Sequence, residues 1–180
     1  ASFEINHIPL IEKAASTGKP IIMSCGMASV ADISLACDAA VRAGCDQIAL
    51  LKCTSSYPSL PVDANVLTIE NMRQTFGLEV GLSDHTLGLG VAIASVARGA
   101  SIVEKHFTLS RELGGLDAPF SLEPNELKAL VDESKSAWES LGGVKYGSCS
   151  SDDSNFKFRR SIYASKDIAI GDLFSAENIR

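Results

Sequence analysis

The sequence predicts an α/β fold, read as the carboxy-terminal half of a (β/α)8 TIM barrel. Three observations predict it. Near-continuous apolar runs recur along the chain, each followed by a helical pattern, as a parallel sheet covered on both faces requires. Two of these runs end in a histidine. The chain holds four complete runs and the stump of a fifth, where a closed barrel needs eight. A small open sheet of the doubly wound kind is the alternative, and the histidines alone do not decide between them.

Taken in order, Phe3-Glu4 reads as the end of a strand that is mostly missing, followed by a helix over Pro9 to Ser16. Pro20 to Ser24 is a buried-type strand, with Gly26 and then a helical pattern from Val30 to Ala43. Gln47 to Lys52 is the next strand, followed by the rigid loop Tyr57-Pro58-Ser59-Leu60-Pro61 and a helix over Leu67 to Phe76. Val80 to Ser83 and Ser101 to His106 complete the strands, with a helix over Leu87 to Ala100 between them. Gly114-Gly115-Leu116-Asp117-Ala118-Pro119 reads as a flexible loop. Pro124 to Leu141 is amphipathic, with Leu127, Leu130, Val131, Ser134, Trp138 and Leu141 at helical spacing, and Trp138 is read as core packing. Residues 142–158 form a linker rich in serine. Residues 159–180 open a second domain, with a strand from Arg160 to Ile168, a turn at Gly171-Asp172 and a further element at Ser175 to Ile179.

Bulk properties narrow the function. A net charge of -6 and no basic run disfavour nucleic acid. No apolar stretch has the length of a membrane span. Ala1-Ser2-Phe3-Glu4 has neither a basic nor an apolar signal region. The absence of an initiator Met suggests a chain that begins partway through a longer protein. Five cysteines without a CxxC are read as reduced, mostly buried thiols of a cytoplasmic protein.

Strand alternation places Ser83 with His85, and Glu104 with His106, on one face; Leu82 and Val103 take the other. Lys105 alternates away from His106. Strand exits converge on one rim of a barrel, and imidazole is the commonest protein ligand for a transition metal. His85 and His106 are therefore a candidate metal pair, with Glu104 placed to orient an imidazole. Lys52, at a strand end, could form a Schiff base as in metal-independent aldolases, or anchor a phosphate or carboxylate. Ser24, Thr54, Ser55 and Ser83 lie at or just after strand exits, where hydroxyls and helix-start N–H groups suit a phosphate. Asp117 is placed to bind substrate hydroxyls or to serve as a plain turn residue. Cys25 has no paired base, and Gly88-Leu89-Gly90 lacks the third glycine of a dinucleotide fingerprint, so neither is taken as a site.

Glu4 after Ala-Ser-Phe, the run ending Ser24-Cys25-Gly26-Met27, Lys52-Cys53-Thr54-Ser55-Ser56-Tyr57-Pro58, Gly81 to Leu87, Val103 to Thr108 and Gly114 to Asp117 occur in this order. The string resembles the sialic acid synthase family, the phosphoenolpyruvate-dependent nonulosonic acid synthases. Leu51 to Pro58, Glu104 to Leu109 and Phe158 to Ser161 look most like bacterial pseudaminic acid synthases. The resemblance implies a (β/α)8 barrel up to about residue 141 and, over residues 159–180, the start of an antifreeze-like (SAF) domain. It implies a divalent ion on His85 and His106, manganese foremost, with magnesium or cobalt as the other candidates. Ser2, Ser24 and Ser83 match phosphate-binding serines, Tyr57 and Asp117 match positions near the sugar, and Glu4 matches a glutamate of the active-site rim. Cys25 departs from the threonine common in relatives, and the family's early lysine and glutamate and its SAF arginine have no match here.

The implied reaction joins carbon 3 of phosphoenolpyruvate to the aldehyde of an open-chain N-acetylated amino sugar; water then adds at carbon 2 and phosphate leaves. The full-length protein is expected to be a homodimer. This segment alone is expected to have little activity and to associate through unpaired strand edges. Against this synthase stand N-acetylneuraminate or legionaminate synthase within the family, a Schiff-base aldolase using Lys52, and a non-catalytic sugar-phosphate binding module.

Overall fold

A computed structural model describes residues 1–180. The chain separates into two compact units, Ala1–Gly142 and Gly143–Arg180. The first unit carries four strands, β1 (Ile21–Ser24), β2 (Ile48–Cys53), β3 (Glu79–Asp84) and β4 (Val103–Lys105). Its helices are α1 (Ile8–Ala15), α2 (Val30–Arg42), α3 (Leu67–Phe76), α4 (Gly90–Ala97) and α5 (Pro124–Leu141).

Local chemistry sets the helix ends. Ser29 caps α2: its Oγ accepts from Asp32 N at 3.2 Å, while the Asp32 carboxylate accepts from Ser29 N at 2.8 Å. Pro9 and Pro124 start α1 and α5, where a missing N–H is no loss. Gly77, at φ 65°, closes α3 in the left-handed conformation that glycine adopts freely.

All four strands are parallel and run in the order β1-β2-β3-β4. A doubly wound sheet reverses its order at a switch point. This sheet never does, so it is a wall of a barrel, a parallel half-barrel. Ile48, Leu50, Val80 and Leu82 form one face of the wall. They bury against Ile33, Ala36, Ala39 and Ala40 of α2 and Ile69 and Met72 of α3. Each fully buried aliphatic side chain contributes about 2 kcal/mol of transfer free energy. The register Lys52↔Leu82↔Val103 belongs to this face; Ser24↔Leu51↔Gly81 and Cys53↔Ser83↔Glu104 belong to the other. On that other face Gly81 is indispensable, since an added Cβ would sit 2.3 Å from the Ile102 carbonyl oxygen.

Several expectations are corrected. Phe3-Glu4 does not end a strand: Ser2–Glu4 is a 3-10 turn, because with no strand beside it the backbone bonds to itself, Glu4 N to Ala1 O and Ile5 N to Ser2 O. Trp138 is not core; it is 67% exposed. α5 reaches the core through Leu130, which packs with Ala92 and Leu122; Trp138, two turns on, lines the same groove as Leu130 and Val131 but stays open to solvent. α4 is shorter than Leu87 to Ala100, bounded by the positive φ of Gly88 and Gly99.

In the second unit Ser150–Phe158 forms a 3-10 helix. Arg160 to Ile168 is not a strand. Its pairing is a single antiparallel bridge, Ala164↔Ile179, flanked by Tyr163–Arg180 and Ser165–Asn178 hydrogen bonds. The turn at Gly171-Asp172 is present, with Asp172 N donating to Ala169 O. No residue of this unit is fully buried, as expected where so few residues share a core. No helix of the chain is long and apolar enough to cross a membrane.

Candidate active site

The carboxyl ends of the strands bring four rings together. His85 follows β3 and His106 follows β4, and their ring centroids are 5.3 Å apart at 66°. Tyr57, from the loop after β2, lies 4.2 Å from His85 and 6.0 Å from His106. Phe120 closes the group, 5.0 Å from His106 and 5.9 Å from Tyr57. Ser59 N donates to the His85 carbonyl at 2.9 Å, which pins the Tyr57 loop beside the imidazole.

The two Nδ1 atoms have different neighbours. For His85 the partner is the Thr54 carbonyl at 2.8 Å. A carbonyl only accepts, so His85 Nδ1 carries the proton and the Nε2 lone pair is free. His106 Nδ1 faces Asp117 Oδ2 at 3.5 Å. Two imidazoles on neighbouring strand ends can serve as donors to a divalent ion. His, Cys, Asp and Glu side chains form no group of three or more around a common point, so the two Nε2 atoms are what this chain offers a metal.

The loop that carries Asp117 and Phe120 is anchored at both ends. Leu122 N donates to the His106 carbonyl at 2.8 Å, and Thr108 N to the Leu122 carbonyl at 2.9 Å. Arg111 donates through Nε to the Ser121 carbonyl at 3.1 Å and also pairs with Glu123 and Glu126 of the α5 cap. Ser121 Oγ donates to the Asp117 carbonyl at 2.8 Å.

Beside the rings lies a group of hydroxyls. Ser2 Oγ accepts from Gly26 N at 3.0 Å. Ser55 Oγ is buried with no hydrogen-bond partner. A Cβ on Gly26 would stand 2.3 Å from Ser55 Oγ and 2.8 Å from Ser2 Oγ, so the site requires glycine there. Ser24 and Ser83 are buried on the same inner face. An orphaned hydroxyl such as that of Ser55, beside a helix-start backbone, can receive an anion.

The residue that sequence reasoning passed over here is Cys53. It shares the inner face with Ser83, and its Sγ is 3.9 Å from His85 Nδ1. Burial works against its thiolate, but hydrogen bonds with His85, Ser2 and Ser83 outweigh burial and bring the thiol down to about 7. The Cys53 hydrogen bond raises His85 against the opposing effect of burial, and the Thr54 carbonyl adds to the rise. Burial, followed by the charges at Cys53 and Asp117, pushes Tyr57 up, so its hydroxyl keeps its proton and can donate. Period-two alternation across the Cys53↔Ser83 register was the available signal; Phe120 had none.

Other candidates lie elsewhere. Lys52 faces the helix layer, in register with Leu82, and its Nζ donates to the Cys53 carbonyl and Thr54 Oγ1 at 3.0 and 3.1 Å. It lines a cavity of about 230 Å³ between α2 and α3 with Cys25, Ile33 and Met72. The Schiff-base reading is corrected on that ground: the amine is on the wrong side of the sheet for the rings. Thr54 contributes its carbonyl, since its hydroxyl is occupied by Lys52 and by the Asp63 carbonyl. Glu104 accepts from Ser83 Oγ at 2.7 Å, and it is Thr54 and Asp117 that meet the imidazoles. Glu4 pairs with His7 at 3.6 Å, both half-exposed, and has no contact with the ring group.

Comparison with known proteins places this geometry in context. The sequence model of the NeuB family matches residues 1–146. The chain is 38% identical over 180 residues to the pseudaminic acid synthase of Campylobacter jejuni, covering 100% of this chain and 52% of the relative. The N,N'-diacetyllegionaminic acid synthase of the same organism is 38% identical over 181 residues, with 99% and 54% covered. The crystal structure of N-acetylneuraminic acid synthetase from Leptospira borgpetersenii superposes with a TM-score of 0.78 at 36% identity, over 88% of this chain and 55% of that one. The chain thus spans about half the length of the curated relatives it matches.

Proposed function

The chain belongs to the NeuB family, and from that premise we propose that it supplies half of the active site of a synthase. The reaction condenses phosphoenolpyruvate with an open-chain N-acetylated amino sugar, releasing phosphate and a nonulosonic acid; pseudaminic acid is the favoured product. One observation carries the reading: two imidazoles with ring centroids 5.3 Å apart at neighbouring strand ends, His85 held through Nδ1 and His106 facing Asp117. A divalent ion bound there, manganese foremost, supplies Lewis-acid polarisation of the sugar aldehyde.

The chain's own groups do the rest. The hydroxyls of Ser2, Ser24, Ser55 and Ser83, with Gly26 N, hold the phosphate of phosphoenolpyruvate. Tyr57 and Phe120 wall the reacting carbons away from bulk water, and the Tyr57 hydroxyl donates to a substrate oxygen. Asp117 orients His106 and meets sugar hydroxyls. The same reading assigns residues 159–180 to the start of a SAF domain, and makes the intact protein a cytoplasmic homodimer.

The test is phosphate release by the intact protein from phosphoenolpyruvate. The partner sugars are 2,4-diacetamido-2,4,6-trideoxyhexoses, as for pseudaminic and legionaminic acid, and N-acetylmannosamine. Release with a trideoxyhexose, abolished by EDTA and restored by manganese, is expected. Undiminished turnover in rigorously metal-free buffer rejects the metal, and no release with any of these sugars rejects the synthase.

A further inference from the structure

Behind the two imidazoles lies a buried ion pair that the proposed chemistry does not use. Asp84 ends β3, Lys105 ends β4, and the two face each other in register. Lys105 Nζ is 2.8 Å from Asp84 Oδ2, and the side chains are 3% and 2% exposed. Desolvating two charges is costly, and an apolar pair of similar shape usually serves stability as well or better. Stability alone therefore does not account for ions at this place.

The pair also grips the backbone just beyond His85. Thr86 N donates to Asp84 Oδ1 at 2.9 Å, and the Thr86 carbonyl accepts from Lys105 Nζ at 2.7 Å. The β3–β4 ladder ends at Asp84↔Lys105, so the ammonium links the two segments past the last rung. His85 is thereby held through the residues on both sides of it, and Lys105 directly precedes His106. Alternation turns both imidazoles to the opposite face of the sheet.

We propose that Asp84 and Lys105 are positioning residues, which act through the backbone to fix the separation of His85 and His106 for one shared cation. The inference rests on the two-histidine reading above and adds to it residues that meet neither substrate nor metal. Two variants of the intact protein test it, Lys105→Met and the double Asp84→Asn with Lys105→Met. Each is measured for melting temperature and for Mn2+ affinity by titration calorimetry.

The single variant leaves a buried carboxylate alone and is expected to melt lower. The double leaves no unpaired ion and is expected to melt near the parent. Both are expected to bind Mn2+ about 10-fold more weakly, the range seen when groups outside the ligand sphere are lost. Parental affinity in the double overturns the proposal, because a merely structural role is restored together with the fold. Should neither variant fold, Lys105→Arg keeps the cation and changes its reach; weakened Mn2+ binding at an unchanged melting temperature supports positioning, and unchanged affinity overturns it. A parent that takes up no Mn2+ sinks the metal reading itself. The ring 15N shifts of His85 and His106 then decide alone: shifts displaced in the variant support the pair's role, and shifts identical to the parent's refute it.

Discussion

Gly26 has no side chain because two serines already occupy the space one would need. With Ser55 Oγ only 2.3 Å from an added Cβ, Gly26→Ala must push a hydroxyl or the backbone aside. A misplacement of this size in a positioning group costs about 100-fold in rate. The variant is therefore expected to lose about that much in kcat/KM for phosphoenolpyruvate, while its Mn2+ affinity stays parental. An unchanged kcat/KM for phosphoenolpyruvate would remove the hydroxyl group from the phosphate site. Single residues also mark where sequence reading failed. His85 and His106 were legible because each ends an apolar run. Lys52 was misread because its place at a strand end was weighed without its face. Period two puts Lys52 with Ile48 and Leu50 against the helices and Cys53 with Leu51 and Ser83 on the inner face, so a strand-end position alone does not bring an amine to the rings.

At the scale of elements, α2 illustrates how local sequence places the site. Its capping box at Ser29 and Asp32 starts the helix a few residues after Gly26, and its small buried face of Ala36, Ala39 and Ala40 lets it lie close against the sheet. Ser29→Ala removes the cap and is expected to cost about 1 kcal/mol, read as a lower midpoint in urea with an unchanged slope. A midpoint equal to the parent's would show that the box is idle. Most helices and strands were legible within a few residues from apolar periodicity. Periodicity puts Trp138 on the face of Leu130 but does not tell what covers that face, and the groove they line stays open at Trp138. The segment Arg160 to Ile168 carries strand-type residues, but a strand exists only where a partner of equal length lies alongside, and here a single bridge is made.

At the scale of the molecule, β1 and β4 are both edges of an open wall. Ile22, on the inner face of β1, is 55% exposed. Unpaired edges and bare apolar surface promote pairing with another chain. Residues 1–180 produced alone are expected to elute as dimers or larger species, with a mass by light scattering that rises with concentration. A monodisperse monomer across the micromolar range would contradict this. The half-barrel was legible from the count of strands and their spacing. The choice between barrel and open sheet was not, because it depends on strand order, and order is set by contacts between units rather than by residues within one. That order has a further consequence for how the molecule comes into being. No later stave is threaded between two earlier ones, so pairs already closed never have to reopen as the nascent chain lengthens. Each unit leaving the ribosome can dock on the one before it, and the two histidines meet only when β4 joins β3.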